Sequence, residues 1–252
     1  METAGAATQK LPSWLRRRTD PAARFGLRLT LFALALSLFA VPFGYLVEQV
    51  TSAGPLVRLD TSAARALHPY VLGHPLVIQT LKSISFLGGP LWFYVLIPAV
   101  AVFWLTRRRV RLAIYLVVTT SVGGLIDTVA KLAVHRGRPH FDHPIATAHG
   151  KSFPSGHVMT TTYSYGALLL TLLPLVDRRW RPLAIGGYVL MIVAVAGSRL
   201  GLGVHYLSDV LGGLILGLAW LLAATAAFSI WRVEEGRPPV QLEEGVEPEA
   251  AR

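Results

Sequence analysis

The sequence predicts an all-α protein, a six-helix transmembrane bundle with short extracytoplasmic interfacial helices. Charged residues make up 15% of the 252 residues and hydrophobic residues 53%, whereas an ordinary soluble domain carries about 25% charged residues. The hydrophobic residues also form runs near the length, roughly 20 residues, that a helix needs to cross a bilayer. These two observations exclude a soluble globular domain, a disordered chain and a nucleic-acid-binding module with one basic patch.

Six stretches are apolar over enough residues to cross the membrane as helices. Arginines precede the first stretch, but its apolar run is long for a signal peptide and no clear cleavage site follows, so we interpret it as a retained helix. Residues 48–83, after the first span, mix apolar with charged residues and predict a pair of short interfacial helices. The predicted spans are Leu29–Val47, Ile84–Leu105, Leu112–Val134, Val158–Leu175, Leu183–Leu200 and Leu207–Ile230.

The distribution of lysine and arginine orients these spans. An alternating topology places 16 of the 24 lysines and arginines on the side of both termini and 8 on the other side. Because cytoplasmic connections are enriched in these residues, we predict cytoplasmic termini for a protein of the plasma membrane. The net charge of +10 is then mainly a topology signal, and its expected partners are anionic lipid head groups rather than nucleic acid.

The composition divides the chain into three parts. Residues 1–28 form a basic cytoplasmic arm, residues 29–231 the membrane domain, and residues 232–252 an acidic cytoplasmic tail with several prolines. The composition of the tail predicts disorder. The chain contains no cysteine, which excludes a disulfide framework, a thiolate metal site and a cysteine nucleophile.

Polar clusters interrupt the apolar pattern at the ends of four spans, where charges are costly and indicate function. The third-to-fourth and fifth-to-sixth connections lie on the same side of the membrane. We therefore expect residues as far apart as Lys131 and Asp209 to meet in one outer pocket. The clusters are Lys131 with Arg138-Pro139, then Pro154-Ser155-Gly156-His157, and then Ser198-Arg199 with His205 and Asp209.

The chemistry of this pocket suits a phosphate group. Three cations, a serine hydroxyl and a glycine N–H at a helix start can all donate hydrogen bonds to an oxyanion. His205 and Asp209 are four residues apart, so the carboxylate can fix the imidazole tautomer and leave the other ring nitrogen free to attack phosphorus. His157 lies on a different helix, where it is placed to donate a proton to the leaving oxygen.

The order and spacing of the three clusters resemble the three-part signature of the type-2 phosphatidic acid phosphatase superfamily. Every motif position is filled, the diagnostic stretch is 131–209, and the resemblance extends over the six-span layout of residues 29–231. It implies that His205 forms a phosphohistidine, that Asp209 supports it, and that His157 acts as acid and then activates water. The resemblance also implies no metal and no cofactor, and it includes Ser198 without a sharply defined role. The residues that it implies for binding the phosphoryl oxygens are Lys131, Arg138, Ser155, Gly156 and Arg199.

The predicted function is therefore that of an integral membrane lipid phosphatase with its site on the extracytoplasmic face. Its substrate is expected to be an amphiphilic phosphomonoester or diphosphate. We favour undecaprenyl diphosphate, with phosphatidylglycerol phosphate and phosphatidic acid as further candidates. Two alternatives remain open, namely a phosphotransferase on the same site and a non-catalytic lipid-binding or transport protein. A vanadium haloperoxidase, which shares the anion pocket in soluble relatives, is disfavoured by the six spans.

Other polar residues allow a simpler interpretation. Asp127 lies one turn before Lys131 and either orients that lysine or only neutralises it. Arg136 and Lys151 are interpreted as side chains that reach the head groups. Gly213 and Gly217 in the last span predict tight helix packing within the bundle. The spacing of His140 and His143 is too weak a pattern to predict a metal site. Five histidines are interpreted as solvated loop residues, namely His68, His74, His135, His140 and His149.

Overall fold

The computed structural model describes residues 27–237, 240 and 242–251, and these residues form helices and connections without a strand. The predicted basic arm, residues 1–28, lies almost entirely outside them. A π-helical turn, Phe39–Phe43, joins α1 to α2, and short 3₁₀ turns cover Leu173–Leu175, Arg178–Trp180 and Pro248–Ala251. The α-helices are α1 (Leu27–Leu38), α2 (Gly44–Thr51), α3 (Pro55–Leu72), α4 (Pro75–Leu87), α5 (Pro90–Thr106), α6 (Val110–Val134), α7 (Gly156–Leu172), α8 (Arg181–Gly201) and α9 (Leu207–Glu234).

Within the described residues, five helical stretches are long and apolar enough to cross a membrane, and the bent pair of α4 and α5 makes a sixth. Large apolar side chains on the outer faces of α6 and α8, such as Leu125 and Leu190, are exposed. An apolar outer surface of this kind is what a bundle presents to lipid. The predicted fold class, an all-helical membrane bundle with additional outer helices, is confirmed.

The second span differs from the prediction. The stretch Ile84–Leu105 is not one helix, because the chain breaks at Gly88 and Gly89 and bends by 41° between α4 and α5. Pro90 cannot continue the helical hydrogen bonding of α4, and instead begins α5. A Cβ at Gly88 would lie 2.6 Å from Val195 Cγ1, so glycine allows this bend to pack closely against α8.

The outer segment contains the predicted pair of helices, α3 and α4. Helix α3 buries Asp60, His68 and Val71 against the rest of the bundle. The interpretation of His68 as a solvated residue is wrong, because its ring stacks on Phe141 with the centroids 3.8 Å apart. Its Nε2 also donates to the carbonyl of His143 at 3.0 Å. The remaining histidines of this interpretation, His74, His135, His140 and His149, are exposed.

Helix α9 packs against α7 and α1 in the centre of the bundle. Its glycines permit this packing, as predicted. A Cβ at Gly213 would lie 2.5 Å from the carbonyl oxygen of Ser155, and one at Gly217 would lie 3.0 Å from the carbonyl oxygen of Met159. The backbones of α9 and α7 therefore approach closely just below the polar end of the bundle.

The prediction of a disordered tail is wrong for the part of the tail that the structure describes. Helix α9 continues to Glu234, and the side chains of Val246 and Glu247 are buried. The backbone N–H of Val246 donates to the carbonyl of Leu170, and Arg232 pairs with Glu247 and Glu249. The acidic residues that indicated disorder are neutralised by arginines at this end of the bundle, so the segment can pack.

Candidate active site

The three polar clusters converge at one end of the bundle. The C-terminal ends of α6 and α8 and the N-terminal ends of α7 and α9 lie together there. The N–H of Ser155 donates to the carbonyl of Asp209 at 2.9 Å, and Arg138 Nη1 donates to the carbonyl of Val204 at 2.9 Å. These contacts join connections that are more than 50 residues apart in the chain.

Asp209 lies in the first turn of α9 and contacts His205 in the turn before that helix. Its Oδ2 is 3.4 Å from His205 Nδ1 and accepts the backbone N–H of Tyr206 at 2.8 Å. The same oxygen accepts the hydroxyl of Ser152, and Oδ1 accepts Arg136 Nη1 at 2.6 Å. The carboxylate is completely buried. It therefore caps α9 and at the same time holds the imidazole in place.

The contacts of His205 define its tautomer. Arg138 Nη1 lies 3.1 Å from His205 Nε2, and a guanidinium can only donate, so Nε2 carries a lone pair. The proton then sits on Nδ1, which faces Asp209. Burial lowers the pKa of His205 to about 4, although the nearby Asp209 carboxylate opposes this shift. At neutral pH the ring is uncharged, with its nucleophilic nitrogen at the cavity.

The guanidinium group of Arg138 already donates to acceptors within the protein. Its Nε donates to the carbonyl of Gly150, and its Nη2 to the carbonyls of His149 and Lys151, each at 3.1 Å. With the two contacts of Nη1, all five N–H groups of the guanidinium have an acceptor. Arg138 thus fixes the 149–151 loop against the turn that carries His205.

Lys131 and Asp127 form an ion pair on one face of α6. Gly156, the first residue of α7, faces this pair closely. A Cβ at position 156 would lie 2.6 Å from Lys131 Nζ and 2.9 Å from Asp127 Oδ2. A side chain at position 156 would have to displace this pair at the start of α7, which accounts for the glycine of the signature in physical terms.

Arg199 and Ser155 supply further donors at the buried end of the site. Arg199 is 7% exposed, and one of its terminal nitrogens donates to Ser85 in α4. Arg199 Nε and Ser155 Oγ are buried and have no hydrogen-bond partner among the described residues. Buried donors of this kind are costly unless a ligand uses them. Ser198 donates to the carbonyl of Val195 in its own helix and does not line the cavity.

A cavity of about 810 Å³ opens between α5, α6 and α7, and its lining includes Arg199 but not Ser155 or Asp209. Its walls combine polar and apolar side chains. The apolar part is lined by Phe93, Tyr94, Ile97 and Val117. The predicted site residues in its lining are Asp127, Lys131, Arg138, Gly156, His157, Arg199 and His205.

The structure adds three residues that the sequence analysis missed, Arg136, Asp60 and Ser152. Arg136 does not reach for head groups, as we had interpreted it, because it bridges the buried carboxylates of Asp60 and Asp209. One sequence feature could have indicated Asp60, because it is the sole carboxylate within α3. No sequence feature indicated Ser152. Among the described residues, no group of three or more His, Asp or Glu side chains is arranged to hold a metal ion.

Comparison with known proteins decides the family. Residues 111–232 match the PAP2 superfamily. The chain is 31% identical over 168 residues to decaprenylphosphoryl-5-phosphoribose phosphatase of Mycobacterium tuberculosis, which covers 64% of this chain and 85% of the relative. The chain belongs to the PAP2 superfamily.

Other PAP2 proteins extend the similarity. Phosphatidylglycerophosphatase B of Bacillus subtilis is 28% identical over 59% of this chain and 73% of its own length. Undecaprenyl-diphosphatase of Sulfolobus acidocaldarius is 29% identical over 60% of this chain and 69% of its own length. The crystal structure of a transmembrane PAP2 type phosphatidylglycerolphosphate phosphatase from Bacillus subtilis matches with a TM-score of 0.68 at 26% identity, covering 75% of this chain and 93% of that one. These relatives support a multi-pass membrane enzyme that hydrolyses phosphoric esters.

Proposed function

We propose that this PAP2 protein hydrolyses the phosphomonoester or diphosphate of a membrane lipid through a phosphohistidine at His205. The observation that carries the proposal is the neutral His205, which lines the same cavity as Arg199, whose buried Nε has no hydrogen-bond partner among the described residues. The hydroxyl of Ser155, immediately before α7, is likewise buried without a partner among those residues, although it is not part of the cavity lining. A nucleophile beside unused donors fits a tetrahedral oxyanion.

The proposed reaction has two in-line displacements at phosphorus. His205 Nε2 forms a bond to phosphorus while the bond to the leaving oxygen breaks, and His157 gives that oxygen a proton. The negative charge of the bound phosphoryl group favours the protonated form of His157. A water molecule then attacks the phosphohistidine, its proton passes to His157, and the N–P bond breaks to release phosphate.

The cations of the site provide the charge for this chemistry. Lys131, Arg138 and Arg199 all line the same cavity as His205. Together they can offset the charge of a phosphoryl group during the transfer, which is why we propose a reaction that requires no metal. Arg138 would exchange its contact with His205 Nε2 for a phosphoryl oxygen, which frees the lone pair of that nitrogen for the attack. Gly156 and Ser155 would contribute at the start of α7, where the helix dipole favours an anion.

The shape of the cavity supports an amphiphilic substrate. Its lining combines the polar site residues with apolar side chains of α5 and α6. The named relatives act on both glycerolipid and polyprenyl phosphates. We propose a lipid phosphate or diphosphate as the substrate, with undecaprenyl diphosphate, phosphatidylglycerol phosphate and phosphatidic acid as the three candidates to be compared.

We also propose that the site opens on the extracytoplasmic face of the plasma membrane, with both termini in the cytoplasm. The arginine-rich connections after α5 and before α8 lie at the end of the bundle opposite His205. This polarity is the one expected when positively charged connections stay in the cytoplasm.

The test is phosphate release from the three candidate lipids in detergent, with a metal chelator present and with His205→Ala as the blank. We expect release from at least one lipid, inhibition by vanadate and no turnover by the blank. Complete loss of turnover in chelator would instead indicate a metal-dependent reaction. Transfer of the phosphoryl group to an added lipid or sugar acceptor would identify a phosphotransferase. Full cellular function of His205→Ala would favour a non-catalytic lipid-binding or transport protein.

A further inference from the structure

We infer that Arg136, held in place by Asp60, is a positioning residue that keeps Asp209 ionised and directed at His205. Arg136 Nη1 lies 2.6 Å from Asp209 Oδ1, and its Nη2 lies 2.6 Å from Asp60 Oδ2. Both carboxylates are completely buried, and the Arg136 side chain is 9% exposed. Neither Arg136 nor Asp60 belongs to the three-part signature, and the inference rests on the proposed roles of His205 and Asp209.

The physical basis is a single guanidinium shared by two buried carboxylates. A buried carboxylate without a cation binds a proton, because burial disfavours the charged form. Arg136 places a cation between the two carboxylates. Without it, Asp209 would face the carboxylate of Asp60 with no cation between them and would bind a proton more readily. A protonated Asp209 accepts the Nδ1–H of His205 more weakly, so the imidazole would lose its fixed tautomer and orientation.

Asp60 fixes the geometry of this network from outside the signature helices. Its Oδ1 accepts the backbone N–H of Ser208 at 2.9 Å, and its Oδ2 accepts the Ser208 hydroxyl. Arg136 also lies over the ring of Tyr206, 4.4 Å from its centroid. Helix α3, the connection after α6 and the first turn of α9 are thus joined at the carboxylate that supports the nucleophile.

Other charged and titratable groups interact with Asp209 or with the residues that contact it, and they define what a pH profile would report. Within the described residues, α3 contributes one carboxylate and one arginine, the connection after α6 contributes two arginines, and α8 contributes one. The turn before α9 adds an imidazole and a phenol. These groups are Asp60, Arg65, Arg136, Arg138, Arg199, His205 and Tyr206. Among the arginines that the structure describes here, Arg136 is the one that forms an ion pair with Asp209.

The test compares Arg136→Gln, Asp60→Asn and the double variant in the phosphate-release assay, with the panel lipid that the wild-type protein cleaves fastest. Arg136→Gln is expected to lower kcat about 100-fold and to move the acid limb of kcat up by about one pH unit. Asp60→Asn keeps Arg136 paired with Asp209, so kcat should fall less than about fivefold. The double variant removes the surplus carboxylate and should regain about tenfold over Arg136→Gln. Its acid limb should lie between those of Arg136→Gln and the wild type, because Asp209 still lacks its cation.

Two further variants keep the test interpretable. Arg58→Gln removes an exposed arginine two residues from Asp60 and should leave kcat and the pH profile unchanged. If Arg136→Gln does not fold, as judged by gel filtration and thermal unfolding in detergent, Arg136→Lys replaces it. This variant retains the positive charge and should leave the acid limb in place while kcat falls only a few-fold.

The inference is overturned if the double variant is no more active than Arg136→Gln and the pH profiles coincide with that of the wild type. It is equally overturned if Arg136→Lys, used as the substitute, moves the acid limb upward. Failure of the proposed function looks different, because wild-type protein would then cleave none of the lipids, or His205→Ala would cleave them as well as the wild type.

Discussion

At the scale of single residues, His205 combines burial, a fixed tautomer and access to a cavity. The ring is 3% exposed and lies between Asp209 on one nitrogen and Arg138 on the other. Burial and the nearby guanidinium groups both favour the neutral ring, and Asp209 determines which nitrogen carries the proton. In the proposed mechanism, the residue can therefore act as a nucleophile at neutral pH without first losing a proton.

This environment predicts an acid limb of kcat/KM at unusually low pH. The pKa of His205 is lowered to about 4, so Nε2 stays unprotonated until the pH falls through that value. The rate should decline only as pH approaches 4, rather than near the usual value of about 6.5 for histidine. The measurement is kcat/KM against pH, corrected for the ionisation of the lipid phosphate. A limb near 6.5 after that correction would show that the buried neutral imidazole is not the reacting group.

Asp127 provides a second prediction at this scale. Its carboxylate pairs with Lys131 beside Gly156, so we propose that it directs the ammonium group toward the phosphoryl oxygens. Asp127→Asn is expected to lower kcat/KM about tenfold, mainly through KM, because the lysine loses its fixed direction. Asp142→Asn, which changes an exposed carboxylate in the connection after α6, serves as the control. Normal folding with unchanged kinetics would exclude the orienting role.

At the scale of elements, the sequence predicts where the helices end better than it predicts which helices and loops contact one another. The alternation of spans and the motif spacing predicted that Lys131, His157 and His205 would meet, and they line one cavity. The break at Gly88 was missed because apolar residues continue on both sides of it. The role of Arg136 was missed because its partner Asp60 lies 76 residues away, and no spacing rule connects a loop arginine to an acid on an outer helix.

The close packing of α9 against α7 makes a testable element-scale prediction. A Cβ at Gly213 would meet the backbone of Ser155 at 2.5 Å, and backbone atoms cannot move aside as a side chain can. Gly213→Ala should therefore destabilise the protein by about 1–3 kcal/mol and lower activity, because the start of α7 must shift. Gly197→Ala in α8, where a Cβ meets no atom within 4 Å, is the matched control. Equal melting temperatures of the two variants in detergent would contradict this account of the packing.

At the scale of the whole molecule, the two ends of the bundle differ in how their charged residues are arranged. The site end gathers arginines around an anion pocket, whereas the other end pairs its arginines with the tail, as in Arg178–Glu244 and Arg232–Glu249. Composition alone indicated a disordered tail, because it could not show that these arginines would neutralise the acidic residues. The lysine and arginine distribution, in contrast, does support a definite orientation in the membrane.

The orientation can be tested by cysteine labelling, because the chain has no native cysteine. His140→Cys lies in the outer connection, and Arg179→Cys lies in the turn before α8, and both positions are exposed. In intact cells, a membrane-impermeant maleimide should label His140→Cys and should label Arg179→Cys only after the membrane is opened. The reverse pattern would place the site on the cytoplasmic face.

The covalent intermediate is the central claim of this account. It is tested most directly by mixing protein with the lipid that it cleaves fastest, quenching in alkali, which preserves a phosphohistidine, and sequencing the peptides by mass spectrometry. The account predicts one phosphoryl group on His205 in the wild-type protein and none in His205→Ala. Phosphate on another residue, or steady turnover by His205→Ala, would contradict it.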